Sequence, residues 1–197
     1  MWRFFTDINL MTLFTTPILS AIFRWFAKAA LFFSGWHVEG TLPLLPKFVI
    51  VGAPHTSNWD FLLMLALGLV LRANLHFMGK AELFRSPLGA FFRWCGGIPV
   101  ERSKSTGLVE QMVKRFQTSD QFILAIAPEG TRERVAQWKS GFYHIAQGAG
   151  VPIVAVFVDA EHKVIGLGKE FPLSGEAETD VENIRLFYSQ YRGICAK

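Results

Sequence analysis

Cysteine is nearly absent from the chain. Its 197 residues hold two, Cys95 and Cys195, far apart and without the paired spacing of a metal site or a disulfide framework. They fit reduced thiols in a cytoplasmic compartment. Charge is scarce as well. Asp, Glu, Lys and Arg make up 18% of the residues against 51% hydrophobic, where about 25% charged is usual for soluble domains; such a balance excludes a disordered chain. No Gly-x-Ser-x-Gly elbow is present, so the common serine-hydrolase pattern is missing. No zinc-finger, helix-turn-helix or RNP-like signature accompanies the basic residues, so nucleic acid is not an expected partner. His37, His76, His144 and His162 lack ligand spacing, and no metal or redox cofactor is implied. No small-residue cleavage site follows the N-terminal apolar stretch, which disfavours a signal peptide. Neither a repeat nor a low-complexity linker divides the chain, whose length suits one domain.

What is abundant is aromatic. Nineteen Phe and six Trp suggest apolar surface left outside the core, of the kind a membrane covers. The stretch from Ile8 to Phe23 is uncharged, but Pro17 and several Thr interrupt it, and a spanning helix needs about 20 predominantly apolar residues. Thr16-Pro17 reads as a cap and first helical residue. Beyond it, Ser20, Arg24 and Lys28 form a narrow polar stripe, and Ile18, Leu19, Ile22, Phe23, Trp25, Phe26, Ala29 and Phe33 fill most of the remainder. The expectation is an interfacial helix with its cations towards headgroups and its rings in the acyl layer. A buried core helix is the second reading, and a single spanning helix the third. The net charge of +4 is concentrated in the middle, with eight Lys/Arg against three Asp/Glu from Arg72 to Arg115, which suits phosphate or anionic lipid.

After residue 40, short apolar runs alternate with helical patterns. Strands are expected at Phe48–Val51, Leu75–Met78, Ile98–Val100, Phe122–Ile126, Ile153–Val158 and Lys163–Leu167. Helices are expected at about 58–71, 81–94 with a break at Pro87, 106–117, 141–147 and 179–191. The alternation predicts an α/β fold: a single domain with a largely parallel mixed sheet flanked by helices, preceded by an amphipathic, aromatic-rich N-terminal helical membrane anchor. Ligands of open α/β sheets bind at the carboxyl ends of the strands. Four polar clusters directly follow predicted strands: His55 to Asp60, Gly79-Lys80, Glu101-Arg102 and Glu129-Gly130-Thr131-Arg132. A parallel sheet would bring all four to one edge.

His55 and Asp60 are five residues apart. On one continuous helix that spacing turns through about 140° and points them apart. They meet only if His55 sits on the turn after Pro54 and Asp60 in the first helical turn. Histidine is the side chain suited to taking a proton near neutral pH, and a carboxylate on its other ring nitrogen fixes the tautomer. Ser57-x-x-Asp60 also matches a capping box, and the two roles are compatible. In the Pro128–Arg132 turn, Gly130 lets backbone N–H groups approach an anion and Arg132 offers a bidentate phosphate contact. Lys80 and Arg102 are further cations at strand ends; Lys80 also reads as a solvated side chain and Arg102 as a surface Arg paired with Glu101.

Taken in order, these segments resemble the glycerolipid acyltransferase family typified by bacterial 1-acylglycerol-3-phosphate acyltransferase. The blocks are His55 with Asp60, a Gly-rich strand ending in Arg102, Pro128-Glu129-Gly130-Thr131-Arg132, and Val151-Pro152-Ile153. Lys139-Ser140-Gly141 resembles the stretch between the last two. The likeness covers roughly residues 36 to 160. Ala127, Glu101 and the Ala155-Val156 pair depart from residues usual in the family, so the chain resembles a divergent, compact member.

The resemblance implies membrane-associating helices over 1–35 and an acyltransferase domain over 36–197. It implies His55 and Asp60 as the catalytic pair and Lys80, Arg102, Glu129, Gly130, Thr131 and Arg132 as substrate-binding residues. The expected reaction moves a fatty acyl group from acyl-CoA or acyl carrier protein to a hydroxyl of a lysophospholipid, with no cofactor beyond the donor. The expected location is the cytoplasmic face of the inner membrane, peripheral or monotopic. Other lysolipid acceptors, including amino-acid-linked ones, remain open. A hydrolase using Cys95, beside Arg93 and Gly96, is a competing class, and a non-catalytic membrane-binding protein is a third.

Overall fold

The computed structural model describes residues 11–101, 107–133, 135 and 137–195. Along the chain run α1 (Leu19–Ser34), β1 (His37–Glu39), β2 (Lys47–Ala53), α2 (Trp59–Leu71), β3 (Leu75–Lys80), α3 (Ala81–Arg85), α4 (Gly89–Trp94), β4 (Gly97–Val100), α5 (Leu108–Thr118), β5 (Phe122–Ile126), α6 (Gly141–Ala149), β6 (Ile153–Asp159), β7 (Val164–Phe171) and α7 (Ala177–Tyr188). The strands form one seven-stranded sheet in the order β1-β7-β6-β2-β5-β3-β4. From β6 to β4 all neighbours are parallel, while β7 runs antiparallel to β6 and β1 parallel to β7.

The central strand β2 is apolar on both faces, and its alternation sorts it between two cores. Val49 and Val51 join a cluster with Met112 and Phe116 of α5, Phe142 and Ile145 of α6 and Ile184 of α7. Phe48 and Ile50 join the opposite cluster with Leu63 and Leu67 of α2 and Leu31 of α1. The result is a three-layer sandwich, the arrangement that a continuous Val/Ile-rich strand requires. Pro87 separates α3 from α4, as its missing N–H dictates. These two short helices make the β3 to β4 crossover. A buried network holds α7 down: Asp180 accepts bonds from the Ser174 N–H at 2.7 Å, the Ser174 hydroxyl at 2.9 Å and the Tyr143 hydroxyl at 3.0 Å.

Two N-terminal expectations are corrected. Thr16 does not cap the first helix. Its hydroxyl donates to the Thr12 carbonyl at 2.6 Å and accepts the Trp94 indole N–H at 3.0 Å, so α1 starts later, at Leu19. The polar stripe does not face outward as a unit either. Arg24 turns towards the domain and its Nε donates to the Leu69 carbonyl at 2.8 Å. A cation there answers the negative end of the α2 dipole and an orphan carbonyl of its last turn. The face that α1 leaves outside is apolar: Trp25, Phe26, Phe32 and Phe33 are exposed, Phe33 at 86%. Among the described residues no helix is long and apolar enough to cross a membrane. Leu13 and Phe14, ahead of the helix, are buried in the α1–α2 core.

Candidate active site

The parallel register aligns the carboxyl ends of the strands. Val51 of β2 pairs with Ile126 of β5, Ala125 with Phe77 of β3, and Lys80 with Val100 of β4. The turns that follow β2 and β5 therefore emerge side by side at one edge, in the position where open α/β sheets bind ligands.

The turn after β2 carries His55, and α2 opens at Trp59, placing Asp60 in its first turn. The two side chains meet: His55 Nδ1 lies 3.1 Å from Asp60 Oδ2. The same oxygen accepts the backbone N–H groups of Thr56 at 2.7 Å and Ser57 at 2.8 Å. Asp60 thus closes the turn that leads into α2, in a first turn where the dipole favours a negative charge, while it orients the imidazole. The Ser57-x-x-Asp60 capping box is not formed in full: Ser57 Oγ accepts the Trp59 N–H at 3.2 Å. Asp60 is buried, whereas the His55 side chain keeps 30% of its surface open. With Nδ1 engaged by Asp60, Nε2 is the ring nitrogen left for a further partner.

The turn after β5 supports the turn after β2. Glu129 Oε2 accepts the His55 backbone N–H at 2.8 Å, fixing the His55 peptide. Burial pushes the Glu129 carboxyl above the usual range, against the lowering effect of that N–H and of the His55 side chain. Gly130 has φ +66°, a left-handed conformation that glycine adopts without strain. Its N–H closes the turn onto Ala127 O at 3.2 Å, so it does not itself face an anion, contrary to the nest expected there. Instead the Lys139 side chain covers it: a Cβ at Gly130 would stand 3.0 Å from Lys139 Nζ. Lys139 belongs to the Lys139-Ser140-Gly141 stretch already noted for its resemblance, but its approach to Gly130 depends on the fold of the long β5–α6 connection. Arg132 reaches back across the cleft, its Nη1 donating to Asn58 Oδ1 at 2.6 Å.

An open cleft lies beside the pair, lined by Thr56, Ser57, Asn58, Thr131, Arg132, Glu133 and Cys195. Thr131 and Arg132 are thereby brought to the His55 turn. Lys80 is exposed at the end of β3, two strands from β2, which is roughly 10 Å at ordinary strand spacing; it shares the edge without lining this cleft. Arg102 lies outside the described residues. Glu101, before it, pairs with Arg85 at 3.5 Å. Cys95 is fully buried and burial pushes its thiol up to about 11, the opposite of what a nucleophilic thiolate needs.

The architecture and the chain both have known counterparts. The profile of the Acyltransferase family matches residues 37–159. A 1-acyl-sn-glycerol-3-phosphate acyltransferase of Haemophilus influenzae is 28% identical over 157 residues, 74% of this chain and 63% of that protein. The Escherichia coli protein of the same name is 28% identical over 124 residues, 59% of this chain and 49% of its own length. The chain thus spans about half to two thirds of the curated relatives it matches. Among solved structures, the 1-acyl-sn-glycerophosphate acyltransferase of Thermotoga maritima shares the fold with a TM-score of 0.59 at 20% identity, covering 89% of this chain and 82% of that one. With the family profile spanning most of the sheet and both turns of the site, the chain belongs to the acyltransferase family.

Proposed function

We propose that this protein transfers a fatty acyl group from a thioester to the free hydroxyl of a lysophosphatidate-like acceptor at a lipid surface. The contact between His55 Nδ1 and Asp60 Oδ2, next to the residues that line an open cleft, carries the reading. The names of the curated relatives supply the acceptor class.

In this reading His55 Nε2 removes the acceptor hydroxyl's proton as that oxygen attacks the thioester carbonyl. The tetrahedral intermediate collapses by breaking the carbon–sulfur bond. The departing sulfur takes the proton back from His55, leaving an ester and a free thiol. No covalent acyl-enzyme is needed, and Cys95, buried just before β4 with its thiol pushed up to about 11, offers no nucleophile. Arg132 and Lys139, beside Gly130, supply positive charge for the acceptor's phosphate. Thr131 adds a hydroxyl, and Lys80 stands at the end of β3 on the same edge of the sheet. Glu129 acts through the His55 peptide rather than on substrate. Acyl-CoA and acyl carrier protein both present the thioester required.

The outer face of α1, together with Trp59 and Leu62 on α2, exposed at 64% and 51%, supports the lipid surface in this reading. Trp59 is one residue from Asp60, so an apolar surface reaches the catalytic turn. A chain docked by these residues sits on the bilayer as a peripheral or monotopic protein, on the cytoplasmic face where the thioester donors are expected.

The test is product formation. Purified protein with labelled acyl-CoA and lysophosphatidate in mixed micelles should yield phosphatidate and free CoA in equal amounts. A thiol released at the same rate without acceptor would replace transfer with hydrolysis.

A further inference from the structure

The chain does not end at α7. Residues 188–195 leave that helix and cross the carboxyl edge of the sheet, over the catalytic turn. Each step of the crossing is anchored. The Tyr188 hydroxyl donates to the Val51 carbonyl near the end of β2 at 2.5 Å. The Tyr191 ring stacks on Phe157 of β6 with centroids 4.2 Å apart and planes 11° from parallel. The Arg192 carbonyl accepts the Ala160 N–H at 2.8 Å, and its guanidinium meets Glu161 at 3.3 Å. Tyr191 packs against the α5–α7 core, whereas Ile194 packs against the α1–α2 core. The segment therefore passes from one face of the sheet to the other.

Where it crosses, it presses on Thr56. Gly193 is buried, and a Cβ there would stand 2.4 Å from Thr56 Oγ1 and 2.6 Å from Cγ2. No side chain fits that approach, so glycine is required by space. Two residues on, the Cys195 backbone N–H donates to Thr56 Oγ1 at 3.1 Å. Thr56 is thus held at both ends: its side chain by the C-terminal segment and its own N–H by Asp60 Oδ2 at 2.7 Å. Asp60 in turn holds His55.

We infer that residues Tyr191–Cys195 form a strap that positions the His55–Asp60 pair through the Thr56 side chain. The inference rests on the proposed acyl transfer for its kinetic consequence, and on geometry alone for its structural one. Thr56 and the strap residues are positioning residues. With the strap seated, the Thr56 and Ser57 N–H groups stay aimed at Asp60 Oδ2 and the imidazole keeps its tilt. With it released, the turn gains freedom that the reacting geometry does not tolerate.

Two substitutions remove the contact from opposite sides. Thr56→Val deletes the acceptor oxygen and keeps the shape, and Cys195→Pro deletes the donor N–H close to the end of the chain. Each should lower kcat about tenfold, with KM for acceptor and thioester changed by less than about threefold, since positioning is lost and binding is not. The double variant should also fall only about tenfold, because both changes break one contact. Thr56→Ser, which keeps the oxygen, should restore most of the rate. Hydrogen exchange supplies a readout free of catalysis: the Thr56 and Ser57 amides should exchange about tenfold faster in both single variants, with α5 unchanged. Wild-type kcat and unaltered exchange in both variants would overturn the strap, as would losses that multiply in the double variant. A wild-type protein with no acceptor-dependent turnover would count against acyl transfer, and exchange would then decide the strap alone.

Discussion

Asp60 Oδ2 accepts from two backbone N–H groups and one imidazole. At the scale of single residues this shared oxygen explains why the pair needs the spacing it has: a shorter separation would put both side chains on one helix, and a longer one would take Asp60 out of the capping turn. Asp60→Asn keeps the size and loses the charge that steadies a protonated imidazole. Its kcat should fall by about 10²- to 10⁴-fold while the protein stays folded, measured as acceptor-dependent thiol release alongside circular dichroism. Glu129 is read differently. Because it receives the His55 N–H, Glu129→Gln weakens a charge-assisted bond without removing an acceptor. A loss in kcat of roughly tenfold is expected, and an increase confined to the acceptor KM would instead make Glu129 a substrate ligand. Arg132→Ala should raise the KM for lysophosphatidate more than the KM for the thioester, as steady-state kinetics in both substrates would show.

At the scale of elements, α1 is an amphipathic helix turned the unexpected way. Ser20, Arg24, Ala27 and Leu31 are its more covered positions, while the rings of Phe32 and Phe33 stand 78% and 86% exposed. Replacing these two Phe with Ser should cut co-sedimentation with anionic vesicles at least tenfold, since each buried ring contributes about 1.5–3 kcal/mol. The melting temperature should stay within about 2 °C, because neither ring packs in the core. Unchanged vesicle binding would move the membrane contact elsewhere. The period of α1 was legible in the sequence, but its orientation was not, because Arg24's partner, Leu69 O, lies 45 residues away. The same distinction runs through the sheet. Strands β2 to β6 announced themselves as apolar runs, and Pro87 marked the break between α3 and α4. The strand β1 did not, being three residues with little burial and held by β7 alone. The antiparallel return of β7 was legible, because the residues between the two expected strands are too few for a parallel crossover; the turn closes at Lys163, with φ +55°. In the site, His55, Asp60 and the Pro128–Arg132 turn were legible as local clusters. The Glu129 contact with His55, the Lys139 side chain over Gly130 and the strap on Thr56 join segments far apart in sequence, which no local pattern encodes.

At the scale of the whole molecule, stability should depend on a residue away from the site. His76 is buried on β3, packed on the Phe122 ring. Burial first, and the Arg115 charge second, push it down to about 4 from 6.5. The unfolded chain therefore binds a proton between those two values that the folded chain refuses. Stability is then full above about pH 6.5 and falls as pH drops towards 4, by about 3 kcal/mol for this group. Urea unfolding at pH 7 and pH 5 should show the decline, and His76→Leu should remove most of the slope in that window. A slope of equal size in the variant would assign the acid sensitivity to other groups.

The sandwich places an imidazole, its carboxylate partner and a polar cleft at one sheet edge, next to exposed apolar residues. The central claim is that His55 is the base of an acyl transfer to a lysolipid hydroxyl. It is tested most directly by thiol release from acyl-CoA with and without lysophosphatidate, in the wild type and in His55→Ala at matched fold. The expected result is acceptor-dependent release in the wild type that falls by about 10³-fold or more in the variant. Equal acceptor-dependent release by the two proteins would contradict it.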